Sequence, residues 1–175
     1  GEGKYRDKKD VIFYPESRSD ELLKQGVFEC VSPVDGSPLT LVPTDEESII
    51  HPSSIYGITK STQEQMVIQT AKSCGISAVA LRYQNVYGPG QSLFNPYTGI
   101  LSIFSNQLLA GLSINIFEDG KESRDFVFID DVVDATLRAV KTESSVVEVY
   151  NVGSGVATDV LEVANTLKEI YSSDS

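Results

Sequence analysis

The chain has 175 residues, 41% of them hydrophobic, with 25 acidic against 14 basic side chains and a net charge of -11. Length and apolar content suffice for a folded domain with its own core, while the acidic surplus excludes nonspecific attraction to nucleic-acid phosphate or to anionic membranes. No apolar run approaches the roughly 20 residues of a membrane-spanning helix, no signal-peptide pattern is found, and Cys30 and Cys74 have no metal-ligand spacing, so a reduced cytoplasmic protein is expected.

Residues 1–50 read as an irregular loop or insert segment, broken by Pro15, Pro33, Pro38 and Pro43 and by Gly1, Gly3, Gly26 and Gly36. Only Val11–Tyr14 and Leu39–Val42 have the character of short strands. A loop of this length is usually functional or disordered, and a lid or a dimer contact is expected here. His51, the only histidine, precedes Pro52 and reads as a helix-entry residue. It cannot support a multi-histidine metal site, and no metal is expected.

From Pro52 the pattern becomes regular. Ser53 or Ser54 is expected to cap a helix running to about Ser73, with Gly75 at its C-terminal end. Ile76–Tyr83 reads as a buried strand, and Gly88-Pro89-Gly90 as a loop. Residues 99–110 have helical spacing in Ile100, Ile103, Phe104, Leu108 and Leu109, and Gly111 ends them. Ile114–Phe117 and Phe126–Ile129 read as short strands either side of the Asp119-Gly120 turn. Asp130 or Asp131 is expected to cap a helix through Val140. Val146–Val152 reads as a strand, Gly153-Ser154-Gly155 as a loop, and Thr158 or Asp159 as the start of a helix through Ile170. Alternating strands and helices indicate an α/β fold with parallel strands.

The first of these helices carries Tyr56 and Lys60, which share a face at i and i+4. A free phenol is a poor base at neutral pH, but a neighbouring ammonium favours its ionised form. The pair is therefore a candidate for general acid-base work. The alternative is a surface tyrosine beside a solvated lysine. The downstream motifs favour the chemical reading: Leu81-Arg82-Tyr83-Gln84-Asn85-Val86-Tyr87-Gly88-Pro89, then Asp119-Gly120, then Arg124-Asp125-Phe126-Val127-Phe128-Ile129-Asp130-Asp131-Val132, then Tyr150-Asn151-Val152-Gly153-Ser154-Gly155.

In this order the motifs resemble the extended short-chain dehydrogenases/reductases, specifically the NAD-dependent nucleotide-sugar epimerases and dehydratases, and the pattern is nearest to the 4-epimerases. The resemblance covers residues 52–170. It implies the C-terminal half of a Rossmann-like parallel sheet plus the small substrate-binding α/β region, spread over residues 51–175. The glycine-rich dinucleotide turn with which such folds begin has no counterpart in the sequence, so the N-terminal dinucleotide-binding half is expected to be absent. The chain is then a substrate-side portion, inactive by itself. For the intact enzyme the resemblance implies NAD, a nucleotide-diphosphate sugar as substrate, and a homodimer paired through helices that include the one bearing Tyr56.

Residue by residue, the resemblance makes Tyr56 the base and Lys60 its cationic partner, both touching the cofactor, with Tyr83 and Val86 bordering the nicotinamide. It assigns Asn85, Asn95, Thr98, Leu101, Ile116, Phe117 and Arg124 to the substrate, with Arg124 on the diphosphate, where a planar fork suits two phosphate oxygens. Each has a plainer alternative. Tyr83 and Phe117 would serve as core aromatics, Asn85 as a turn asparagine, and Arg124 as a salt-bridge partner of Glu122 or Asp125. Gln84 stands where the family commonly has Phe. A 4,6-dehydratase, a decarboxylase and a noncatalytic sugar-nucleotide-binding protein are the competing functions.

Overall fold

A computed structural model describes residues 3–16, 18–92, 99–142 and 146–171. The chain divides into two compact units, Gly1–Ala80 with Ser144–Tyr150, and Leu81–Glu143 with Asn151–Ser175.

In the first unit, strands β1 (Tyr5–Arg6), β2 (Ile12–Phe13) and β3 (Thr40–Leu41) form an antiparallel sheet in the order β2-β1-β3. Tyr5 pairs with Phe13 on one side and Leu41 on the other. A tight turn joins β1 to β2: Asp7 Oδ1 accepts from the N–H groups of Lys9 (2.8 Å) and Val11 (2.9 Å). Helix α1 (Asp20–Lys24) is capped by Ser19, whose hydroxyl accepts from Leu22 N–H. Residues 1–50, expected to be irregular, therefore carry a small sheet and a helical turn. The two segments with strand character do not pair with each other; both pair with Tyr5–Arg6, which had no strand pattern. His51 meets Tyr14 edge-on, with ring centroids 5.5 Å apart.

Helix α2 (Ile55–Cys74) is bounded as its sequence predicts. Ser54 Oγ accepts from Gly57 N–H at 3.0 Å, and Gly75 closes the C-terminus at φ 66. That left-handed conformation is one glycine adopts without steric cost. Ala71 is the buried residue of α2. Strand β4 (Ala78–Tyr83) follows, and later pairs with β7 (Val147–Val152). Ala78 N–H donates to Val146 C=O and Gln84 N–H to Val152 C=O, an equal advance along both chains, so the two run parallel.

In the second unit the elements are β5 (Asn85–Tyr87), α3 (Ile100–Leu109), β6 (Ser123–Phe128), α4 (Ile129–Lys141), β8 (Ala157–Asp159) and α5 (Val160–Tyr171), with the sheet ordered β5-β6-β8. β5 and β6 are parallel, with Val86 opposite Val127. β6 and β8 are antiparallel, with Arg124 opposite Thr158. Side chains of β6 alternate between two apolar clusters. Phe126 packs against Phe104, Leu108, Val163, Ala164 and Leu167 of α3 and α5, while Val127 joins Val132 and Val152.

Three local expectations change. Ile114–Phe117 forms no strand, although Ile114 and Ile116 pack on the first cluster; alternating burial needs no ladder partner. β8, only three residues long, was too short to show a pattern. Helix α4 begins at Ile129 without a side-chain cap, so Asp130 and Asp131 lie in its first turn, where their charge faces the positive end of the helix. Asp159 does open α5, its Oδ1 accepting from Glu162 N–H at 2.7 Å.

Candidate active site

The first unit holds a tyrosine and a lysine on one helix. Ser54 starts α2 one residue before Ile55, so Tyr56 falls in the first turn and Lys60 one turn later. Gly57 sits tightly between them: a Cβ added there would lie 3.0 Å from Pro52 Cβ. The Lys60 ammonium stands 5.6 Å from the centroid of the Tyr56 ring, within cation-π range. Tyr56 is 72% exposed, so its phenol is open to an incoming ligand and takes no part in core packing.

The remaining described candidates lie in the second unit. Asn85 Nδ2 donates to Asp125 C=O at 3.3 Å, bridging β5 to β6; the turn-stabilising alternative is not what the side chain does. Val86 is half-buried against the Val127 cluster. Tyr83 is 48% exposed, with its Oη 3.0 Å from Thr136 Oγ1 of α4. Phe117 is 79% exposed. Neither aromatic is a core residue. Leu101 and Ile116 pack on the Phe104 cluster, which leaves the backbone of Ile116 as its means of meeting a ligand. Asn95 and Thr98 lie outside the described residues.

Arg124 is half-exposed and engaged at both terminal nitrogens: Nη2 donates to Glu122 Oε1 at 2.5 Å and Nη1 to Ser123 C=O at 2.9 Å. The salt-bridge alternative for this residue is thus present, with Glu122 and not with Asp125. Nearby, the Asp119 carboxyl is held below its ordinary range, first by the Lys121 backbone N–H and then by the Lys121 ammonium at 3.1 Å.

Asp125 is the residue that sequence reasoning passed over. Its Oδ1 accepts from the Ser154 N–H (2.7 Å) and hydroxyl (2.8 Å), and its Oδ2 from Gly155 N–H (2.9 Å). Gly153 leaves the room this needs, because a Cβ there would overlap the Asp125 carboxylate and Gln84. A Gly-Ser-Gly loop with convergent N–H groups resembles an anion cradle, and in this fold the anion is the protein's own. Adjacent donors in a loop and a carboxylate 29 residues upstream were the only sequence signal. Among the described residues, no group of three or more His, Cys, Asp or Glu is arranged to hold a metal, and no helix is long and apolar enough to cross a membrane.

Known proteins resemble the chain throughout. The model of the NAD dependent epimerase/dehydratase family matches residues 29–153. The dTDP-L-rhamnose 4-epimerase of Burkholderia thailandensis is 36% identical over 172 residues, 98% of this chain and 46% of that protein. Among solved structures, the UDP-glucose 4-epimerase of Thermotoga maritima with UDP-glucose superposes with a TM-score of 0.72 at 40% identity, covering 78% of this chain and 43% of that one. The UDP-glucose 4-epimerase of Thermus thermophilus in complex with NAD gives 0.65 at 30% identity, covering 75% and 44%. The chain thus spans under half the length of these relatives.

The residues present fit one end of NAD. An exposed phenol and an ammonium on one helix face suit the ribose and nicotinamide, with Tyr56 and Lys60 as the groups that would hold them. The pyrophosphate end has no match in the described residues, since the N–H groups of Ser154 and Gly155 are already taken by Asp125.

Proposed function

The chain belongs to the NAD dependent epimerase/dehydratase family, and on that premise we propose that it supplies the acid-base pair and the sugar-nucleotide side of a nucleotide-sugar 4-epimerase. Tyr56 takes the proton from the hydroxyl at the sugar's fourth carbon and later returns it. Lys60 stabilises the phenolate that must exist before that transfer. The chemistry NAD supplies when bound is reversible hydride acceptance from the same carbon. Arg124 binds the diphosphate, Asn85 hydrogen-bonds the phosphate or sugar, and Phe117 stacks on the base with Ile116 backbone groups beside it. Tyr83 and Val86 border the nicotinamide. Asn95, Thr98 and Leu101 complete the nucleotide contacts.

The observation that carries this reading is the Lys60 ammonium 5.6 Å from the Tyr56 ring on an exposed helix face. The 79% exposure of Phe117 leaves its ring free for the base-stacking role. The 36% identity to a dTDP-L-rhamnose 4-epimerase supports the epimerase over the dehydratase. Pairing of two copies through α2 is part of the same proposal, supported by Ile55 and Met66 standing 78% and 64% exposed on it. A cytoplasmic site of action is part of the same proposal.

The test is an assay of the gene product containing this chain against UDP-, GDP- and dTDP-sugars. Interconversion of C4 epimers is expected; accumulation of a dehydrated keto sugar alone would replace the epimerase with a dehydratase. The 175-residue chain by itself is expected to turn over no substrate and to bind NAD very weakly, because no G-x-G-x-x-G turn occurs in it. Micromolar NAD binding by calorimetry would contradict that.

A further inference from the structure

β6 begins at Ser123, and its extended chain places residues two apart on one side. Glu122, just before the strand, therefore faces the same way as Arg124, about 6.6 Å along the chain at the rise of an extended backbone. The two side chains meet at 2.5 Å between Nη2 and Oε1, while Nη1 reaches the Ser123 carbonyl at 2.9 Å. One N–H on each terminal nitrogen thus already meets an oxygen acceptor. Their side chains are 43% and 51% exposed, so the pair is open to solvent and to a ligand.

A carboxylate and a phosphate make the same demand on a guanidinium, charge-assisted N–H donation to paired oxygens, and the fork cannot satisfy both in full. We infer that Glu122 is an affinity-setting residue, a resident carboxylate that competes with the substrate diphosphate for Arg124. The inference rests on the assignment of Arg124 to the diphosphate. On binding, the diphosphate displaces Glu122 from the fork. Glu122 then remains beside the new anion and repels it, so it opposes binding twice. An exposed ion pair is cheap to break, which makes the residue a brake on affinity and not a block. Product release gains from the same brake, because the carboxylate is at hand to refill the fork as the phosphates leave.

The experiment is a titration of the 175-residue chain with UDP and with uridine, followed by NMR, in the parent, Glu122→Gln, Arg124→Met and the double variant. Glu122→Gln is expected to tighten UDP about two- to fivefold, the range an exposed ion pair commands, and to leave uridine unchanged. In the Arg124→Met background the Glu122→Gln gain is expected to disappear or fall to the residual repulsion. Equal or weaker UDP binding by Glu122→Gln, with Arg124→Met still costing affinity, would overturn the role of Glu122 alone. UDP affinity that is insensitive to Arg124→Met, or no UDP binding in any variant, would instead remove the diphosphate reading on which the role rests.

Discussion

Asp125 holds Ser154 by two bonds at once, 2.7 Å to its backbone N–H and 2.8 Å to its hydroxyl, with a third to Gly155 N–H at 2.9 Å. The neighbouring residue on β6, Arg124, points to the opposite side of the strand by the two-residue alternation. One strand thus anchors a loop with one side chain and offers a cation with the next. Loss of the anchor is expected to disturb the loop and the backbone beneath Arg124 together.

Replacing Asp125 by Asn keeps the shape but turns one acceptor oxygen into a donor facing an N–H. A loss of about 2 kcal/mol in unfolding free energy is expected, the scale of hydrogen bonds to a charged group. Gly153→Ala is expected to destabilise by a similar amount, because the added methyl overlaps the Asp125 carboxylate. Urea denaturation monitored by circular dichroism checks both; an unchanged midpoint in either would mean the clamp adds nothing to stability.

Tyr56→Phe removes the proton carrier without touching the core, since the side chain is 72% exposed. In the gene product containing this chain, kcat is expected to fall by about 10²- to 10⁴-fold while the melting temperature stays put. Lys60→Met is expected to lower kcat less, because the proton carrier itself stays in place. Steady-state kinetics across pH, paired with thermal melts, separate this from unfolding.

Gly88 has φ 152, and a Cβ there would run into the side chain of Ile129 at the start of α4. Gly88→Ala is expected to cost about 1–3 kcal/mol, the range for overpacking, in chemical denaturation. Ile129→Ala added to it is expected to recover part of the loss, since it removes Ile129 Cγ2, the nearest atom struck. Failure of the second change to help would locate the cost in the backbone conformation alone.

Lys4 and Asp45 meet at 2.7 Å, and Ser48 Oγ donates to the same carboxylate at 2.6 Å. The Asp45 carboxyl is held below its ordinary range, first by the Lys4 hydrogen bond and then by Ser48, and the Lys4 ammonium is raised, first by Asp45. A depressed acid stabilises the fold above its unfolded value of about 3.9 and loses that contribution as pH falls through the folded value. A raised lysine stabilises below about 10.4 and loses its part as pH rises through the folded value. In Lys4→Met the Asp45 midpoint, followed by carboxyl carbon NMR, is expected to rise towards the ordinary value yet stay below it, because Ser48 still donates. A midpoint that does not move would assign the whole effect to Ser48.

Helix α2 and the Tyr56–Lys60 pair were legible from the sequence because every determinant lies within a few residues. Ser54 caps at i+3, the two functional side chains are four apart, and Gly75 terminates by its own conformational freedom. Asp159 at the head of α5 was legible for the same reason. Other features depended on residues far apart. Tyr5–Arg6 became the central strand between Ile12–Phe13 and Thr40–Leu41, and Asp125 found its donors 29 residues downstream. Ile114 and Ile116 were half-buried without a ladder. Arg124 shows the division within a single side chain: its charge and fork were evident as letters, but whether Glu122 or Asp125 would hold it depended on strand alternation. Capping and i+4 pairing are set by covalent proximity, so the sequence alone determined them. Strand partners, loop clamps and the exposure of Phe117 require segments to meet after chain closure, and only the tertiary structure decided those.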